Sequence, residues 1–219
     1  MKAPKTRCVV VLTVGRSGSS ALAEILTHLG VDMGVSVECE RHHWQHSRWN
    51  PRGQYERPAT RQFAKRYLEN RGGGWSKPDL KGLDEPTEEE LKRFSKIVAR
   101  CSAKSQLWGW KDPRTVLYIK AFAHLLPDPI FIWLGRERRA IVRSMTHRNP
   151  GWSRTNCETM HDFYVGKLKE FQIDHEVFVI RYEELVEQPE VHMEKIAGLL
   201  GIPPDKKAAG CVVSDLKHF

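Results

Sequence analysis

The sequence predicts an α/β fold of the P-loop type, in three layers, with a central, mainly parallel sheet flanked by helices. Two observations predict it. Four short apolar runs, Cys8–Val14, Leu107–Trp110, Ile130–Leu134 and Val177–Ile180, read as strands covered on both faces. Stretches of helical periodicity separate them, and strands alternating with helices make a parallel sheet whose ligands bind beyond the carboxyl ends. The 219 residues are expected to form a single domain, 1–219, with an excursion at about 35–86 that departs from this rhythm.

The first run passes through Thr13-Val14-Gly15-Arg16-Ser17-Gly18-Ser19-Ser20 into an amphipathic helix, Ala21–Leu29, with Gly30 as its stop. A glycine-rich turn between strand and helix suits an anion, because the first helical N–H groups lack intrahelical partners and the helix dipole adds positive charge. Gly15 and Gly18 let the backbone approach, Ser17, Ser19 and Ser20 offer hydroxyls, and Arg16 adds a charge. A nucleotide-kinase loop would carry lysine and a magnesium-holding hydroxyl after its last glycine. No lysine follows Gly18, so the loop fits an anion and not Mg-ATP. Alone, it reads as a glycine turn capped by serines.

Thr87 and Glu90 form a capping-box pattern that opens a helix over Glu88–Ala103. The second strand ends in Trp110-Lys111-Asp112-Pro113-Arg114, placing two cations at the sheet edge; a plain turn, with Asp112 as cap and paired to Lys111, is the competing reading. A helix is expected over Thr115–Leu126. The third strand ends in Leu134-Gly135-Arg136, and Ser144 follows eight residues later within a helix over Glu137–Thr146. An arginine fork with a hydroxyl makes a phosphate site, provided the helix folds back past the strand end. Helices over Asn156–Phe171 and Pro189–Leu200 flank the fourth strand, which ends in Arg181-Tyr182-Glu183-Glu184-Leu185. There, pairing of Arg181 with an acidic neighbour is at least as good a reading as binding.

Composition narrows the field. A formal charge of +8 favours an acidic ligand or partner, whether nucleic acid, anionic membrane or phosphorylated small molecule. Five separated cysteines without a CxxC pair suggest reduced thiols in a cytoplasmic protein, with neither disulfide framework nor zinc site. The apolar N-terminal run is short and lacks a cleavage pattern, so it reads as a buried strand and not a signal peptide, and no segment approaches a membrane span.

Taken together, the four loops resemble the sulfotransferases that use 3′-phosphoadenosine 5′-phosphosulfate (PAPS). Arg16-Ser17-Gly18-Ser19-Ser20 is similar to the family's RSGTS, and the spacing of Arg136 and Ser144 matches its 3′-phosphate pair. Lys111-Asp112-Pro113 resembles the KDP of tyrosylprotein sulfotransferases and of a bacterial group, Asn50–Glu56 resembles NPRGxxE, and Arg181–Leu185 resembles RYEDL. The likeness runs from about Val9 to Ile202. Three features depart from the cytosolic small-molecule members. Arg16 replaces their lysine, and Pro113 stands where they place a histidine base; their later GxxGxxK is also missing.

The resemblance implies in-line transfer of a sulfuryl group from PAPS to a hydroxyl or amine acceptor, without metal, releasing adenosine 3′,5′-bisphosphate. It assigns PAPS binding to Gly15–Ser20, Arg136 and Ser144, and charge stabilisation to Arg16, the loop amides and Lys111. A carboxylate is the expected base: Glu56 first, Glu38 second, and His42 or His43 third. Pairing of Glu56 with Arg52 or Arg57 is the bland alternative. His42 and His46 are four apart but lack a third ligand, and read as a solvated loop. Trp44, Trp49 and Tyr55 could wall the acceptor pocket or stack on adenine. The acceptor is open among small molecule, glycan, lipid and peptide. A divergent P-loop kinase and a basic nucleic-acid-binding protein, neither with a matching motif set, are the alternatives.

Overall fold

The apolar segment Arg7–Thr13, RCVVVLT, forms β1, an inner strand of the sheet buried along nearly its whole length. A computed structural model describes residues 6–34, 55–76, 80–205 and 210. Beside β1 lie β2 (Leu107–Lys111) and β3 (Pro129–Gly135), and β4 (Val177–Arg181) lies outside β3, giving the order β2-β1-β3-β4 with all neighbours parallel. The registers Val11↔Lys111, Thr13↔Leu134 and Gly135↔Arg181 bring the carboxyl ends of the four strands out along one edge.

Alternation along β1 feeds two cores, as a sheet covered on both faces requires. Cys8, Val10 and Leu12 pack with Phe63, Phe94, Trp108, Trp110, Phe122 and Phe171. Val9 and Val11 pack with Leu22, Ile25, Leu26, Met193 and Ile196. The first layer contains α2 (Pro58–Glu69), α3 (Glu88–Lys104), α4 (Ile119–Phe122), α5 (Arg138–Arg148) and α6 (Arg154–Asp174). The second contains α1 (Ser19–His28), α7 (Tyr182–Glu187) and α8 (Pro189–Leu200). Trp108 and Trp110, both fully buried, stack with centroids 5.8 Å apart.

Two expectations are corrected. The segment after Pro113 is not one helix over Thr115–Leu126: 3₁₀ turns at Pro113–Leu117 and Ala123–Leu125 flank the single turn of α4. Tyr118, fully buried, has φ −131° and ψ −10°, which breaks the helical path so that Tyr118 and Phe122 can both enter the aromatic core. The excursion at 35–86 also contains a regular helix, α2. Pro58 starts it, and Thr60, Phe63, Ala64, Tyr67 and Leu68 form its buried stripe at helical spacing. Residues 35–54 and 77–79 of that excursion lie outside the described residues, and with them Glu38, His42, His43, His46, Trp44 and Trp49. Of the cysteines, Cys8, Cys101 and Cys157 are described; all three are free and buried.

Several local locks orient the elements that border the strand ends. The segment after α1 bridges to β2 at Asp32↔Trp108, and Gly109 N–H donates to the Asp32 carbonyl at 2.9 Å. Buried Arg57 ties both pieces together, donating from Nε to the Gly109 carbonyl at 3.1 Å and pairing with Asp32 at 3.1 Å. This fixes Tyr55–Arg57 alongside β2. A second lock joins α2 to α3. Arg71 reaches both oxygens of Glu90, at 3.0 and 3.1 Å, while Glu90 completes the capping box with Thr87.

Burial opposes the charge on Glu90, but Arg71, the Thr87 amide and Asn70 outweigh it and hold the carboxyl at about 2, against 4.5 for an ordinary glutamate. A depressed folded value contributes stability above the unfolded value, which is lost as pH falls through the folded one. Urea denaturation of Glu90→Gln should therefore show its full deficit above about pH 5 and converge on the wild type as pH approaches about 2.

Candidate functional site

The loop after β1 turns sharply because Arg16 and Gly18 both adopt left-handed backbone, at φ 75° and 85°. Glycine at 18 serves a second purpose. A Cβ there would overlap the Tyr182 ring, so the aromatic packs directly on the turn. Gly18 is the N-cap of α1 and no side chain caps that end, leaving the first amides of a ten-residue helix facing the loop. The three serines do not share one role. Ser17 is fully buried and its hydroxyl is in close contact with that of Thr13. Thr13 has one proton, for which the Val14 and Leu134 carbonyls compete at 3.1 and 3.2 Å, so Ser17 donates to Thr13. Ser17 thus braces the loop, and Ser19 and Ser20 remain beside the amides.

The strand-end arginine and the helix serine do converge, through Arg16. The Arg16 Nε donates to Ser144 Oγ at 2.9 Å, and Arg136 donates to the Arg16 carbonyl at 3.1 Å. Arg136 also lies over the Tyr182 ring, 4.6 Å from its centroid. Arg148, near the end of α5, joins them. Burial, Arg148 and Arg136 together push the Arg16 guanidinium down from 12.5 to about 10. Helix α5 starts directly after the strand end, and the Glu137 N–H that opens it is held by Glu183 at 2.9 Å. That contact gives the RYEEL segment a positioning role, and Arg181 sits 3.8 Å from Glu183 as its acidic neighbour.

A second charged cluster closes the end of β2. Lys111 is only 3% exposed and its Nζ lies 3.6 Å from Glu56 Oε1. Burial pushes the Lys111 ammonium down, against the pull of Glu56 and Asp112. Glu56 is paired, though not with Arg57, and Arg52 lies outside the described residues. Arg61 at 3.2 Å, Arg114 at 3.5 Å and Lys111 surround it, whereas Arg57 is committed to Asp32. Asp112 caps the turn as expected, accepting from the Arg114 N–H at 3.0 Å. Its ion pair, however, is a two-pronged one with Arg114 at 2.8 and 2.6 Å and not one with Lys111. Burial and the neighbouring Glu56 push the Asp112 carboxyl up.

Residues that the motifs did not mark join the two clusters. A Cβ added at Gly15 would lie 4.0 Å from the Trp75 ring, and that ring lies 5.1 Å from that of Trp152. The buried Tyr164 hydroxyl donates to the Trp75 carbonyl at 2.8 Å, and the phenol of Tyr164 feels the charges of Asp112 and Arg114. Tyr164 thus links the Trp75 segment to the Asp112–Arg114 end of β2. Arg148 could have been read from the basic run on α5, but no sequence signal marks Trp75 and Trp152, since their approach is tertiary. Among the described residues, no group of three or more His, Cys, Asp or Glu is arranged to hold a metal ion. No helix among them is long and apolar enough to cross a membrane.

Comparison with known proteins gives a consistent result. Residues 8–206 match the model of the Sulfotransferase family. The sulfotransferase domain of a Synechococcus olefin synthase superposes with a TM-score of 0.60 at 18% identity, covering 95% of this chain and 78% of the domain. A sulfotransferase from Mycobacterium tuberculosis gives 0.53 at 15% identity, covering 96% of this chain and 72% of its own. At such identities the likeness is one of fold. A Caenorhabditis briggsae protein named "Putative protein-tyrosine sulfotransferase" is 26% identical over 117 residues, 50% of this chain and 42% of that protein. A Caenorhabditis elegans namesake is 27% identical over 118 residues, 50% of this chain and 46% of that protein. The chain thus spans less than half the length of the curated relatives it matches.

The packing of Tyr182 against Gly18 generates a test of the anion site. Gly18→Ala must displace the ring that underlies Arg136, and should weaken calorimetric binding of inorganic pyrophosphate by about tenfold or more, the loss of one charge-assisted contact. A melting curve would check that the variant remains folded.

Proposed function

The chain belongs to the sulfotransferase family, and from that premise we propose that it transfers a sulfuryl group from PAPS to an acceptor hydroxyl or amine. The observation that carries the reading is the convergence of Arg16, Arg136 and Arg148 with Ser144 at the carboxyl edge of the sheet. Guanidiniums gathered at one sheet edge, with Arg16 pushed down by burial and then by Arg148 and Arg136, suit a ligand of high negative charge. The residues fit the donor on that ground. Arg136 and Ser144 would hold its 3′-phosphate, and Arg16 with the amides of Ser19 and Ser20 its phosphosulfate end. PAPS itself supplies the activated sulfuryl group. In the transfer, the acceptor oxygen or nitrogen forms a bond to sulfur while the bridging S–O bond breaks and its electron pair stays on the departing phosphate. Fixed N–H donors and cations aimed at that phosphate lower the barrier without reorganising.

Glu56 is the described carboxylate best placed to take the acceptor proton. It sits at the end of β2 with Lys111, and the bracing by Arg57 holds its segment there. Lys111 orients that carboxylate and adds positive charge next to the transfer. Glu38, the second candidate base, lies outside the described residues. The Trp75–Trp152 pair would form one wall of the acceptor site. The tyrosine named for the nematode relatives makes a phenolic hydroxyl a reasonable first acceptor to try.

Calorimetry tests the donor half. Adenosine 3′,5′-bisphosphate should bind in the micromolar range without magnesium, and Arg136→Ala or Ser144→Ala should each weaken it by about tenfold or more. Binding of Mg-ATP with none of the bisphosphate would overturn the reading in favour of a kinase. Steady-state kinetics tests the base. Glu56→Gln should lower kcat by about 10²–10⁴-fold while bisphosphate affinity is retained. An unchanged kcat with a lowered melting temperature would make Glu56 a structural member of its ion cluster.

A further inference from the structure

Helices α2 and α3 run antiparallel, since Asn70 and Arg71 at the end of α2 reach Glu90 at the start of α3. Between them, on the outer surface, runs a groove of about 390 Å³. Its floor is apolar, made by Ala59, Phe63 and Ile97. Its rim is cationic: Arg66 comes from α2, and Lys92, Lys96 and Arg100 from α3. Among the described residues, Glu89 is the one carboxylate lining the groove, and Arg93 takes it at 2.9 Å. Four rim cations are left along one trough.

The helix dipole does not account for this pattern. It favours acids in the first turn of α3, where Glu88, Glu89 and Glu90 stand, and bases in the last, where Lys104 stands. Lys92 lies in the second turn, and Arg66 belongs to another helix altogether. Like charges at i and i+4 repel, so Lys92, Lys96 and Arg100 are a small cost to α3 in isolation. They stand about 6 Å apart along the helix axis. Alternate residues of an extended chain recur at about 6.6 Å, close to the same interval.

From this we infer that the α2–α3 groove is a docking surface for an acidic peptide segment of a partner protein. Its carboxylates would meet Arg66, Lys92, Lys96 and Arg100, and its aliphatic side chains would cover Ala59 and Ile97. The floor selects peptide over nucleic acid or sulfated glycan. Phe63 is only 4% exposed, so it offers no face for base stacking, and an apolar strip leaves polar sugar groups without partners. This inference goes beyond the sulfuryl-transfer reading and does not depend on it.

Fluorescence anisotropy of a labelled peptide of alternating Glu and Leu, titrated with the whole chain, provides the test. Binding should weaken by about tenfold in the double variant Lys92→Glu/Lys96→Glu and by less than about twofold in Lys120→Glu/Lys169→Glu, which carries the same net charge change elsewhere. Ile97→Ser should weaken it with no change of charge. Equal weakening by the two double variants would reduce the effect to bulk charge and overturn the proposal, as would the absence of binding. Displacement of the peptide by an RNA or heparin oligomer that binds more tightly, and loses affinity in Lys92→Glu/Lys96→Glu, would reassign the groove to polyanions.

Discussion

Like charge held at close quarters is the constraint around which this molecule is arranged. Arg16 and Arg136 are fastened by hydrogen bonds that run through a backbone carbonyl and a serine hydroxyl, while Arg148 approaches from the end of α5. The repulsion is borne by the rest of the fold: β1 and β3 ending side by side, the Gly18–Tyr182 contact, and the Glu183 carboxylate that fixes the start of α5. The protein therefore keeps its positive potential concentrated at the sheet edge, where a low local dielectric strengthens it.

The second cluster follows the opposite logic. Glu56, Lys111, Asp112 and Arg114 are mutually compensated, and Arg61 closes the set from α2. Buried charges persist when they are paired, and removing one partner leaves another exposed to the full cost of desolvation. The same arrangement that would present a carboxylate to an acceptor also ties α2 to the end of β2. Stability and chemistry are therefore coupled at Glu56, which is why a kinetic readout and a folding readout are both needed there.

Much of this was legible in the sequence, and the legible parts share a cause. Strand runs such as Cys8–Val14, the capping pair Thr87 and Glu90, and the stop at Gly30 depend on residues close in sequence, where propensity and pattern act directly. The link from Arg136 to Ser144 was also readable, because strand and helix are contiguous and only one fold-back joins them. What stayed hidden is set by distant contacts. Helix α2 has a regular buried stripe, but the polar, glycine-rich sequence on either side of it masked the pattern. The break at Tyr118 answers to an aromatic core assembled from four separate segments. Pairing of Glu56 with Lys111 and Arg114 and not with Arg57 follows from where Arg57 is consumed, at Asp32 and Gly109, which no spacing rule reveals.

The two tryptophan pairs have a consequence of another kind. Trp108 and Trp110 are sealed in the core, whereas Trp75 is 37% exposed and couples to Trp152 directly beside Gly15. Indoles at such separations share excitation, and their emission responds to local polarity and to rings that approach them. One pair thus gives a constant background while the other looks onto the anion loop. The chain carries an intrinsic optical reporter at the place where donor and acceptor would meet, so occupancy can be followed in unlabelled protein.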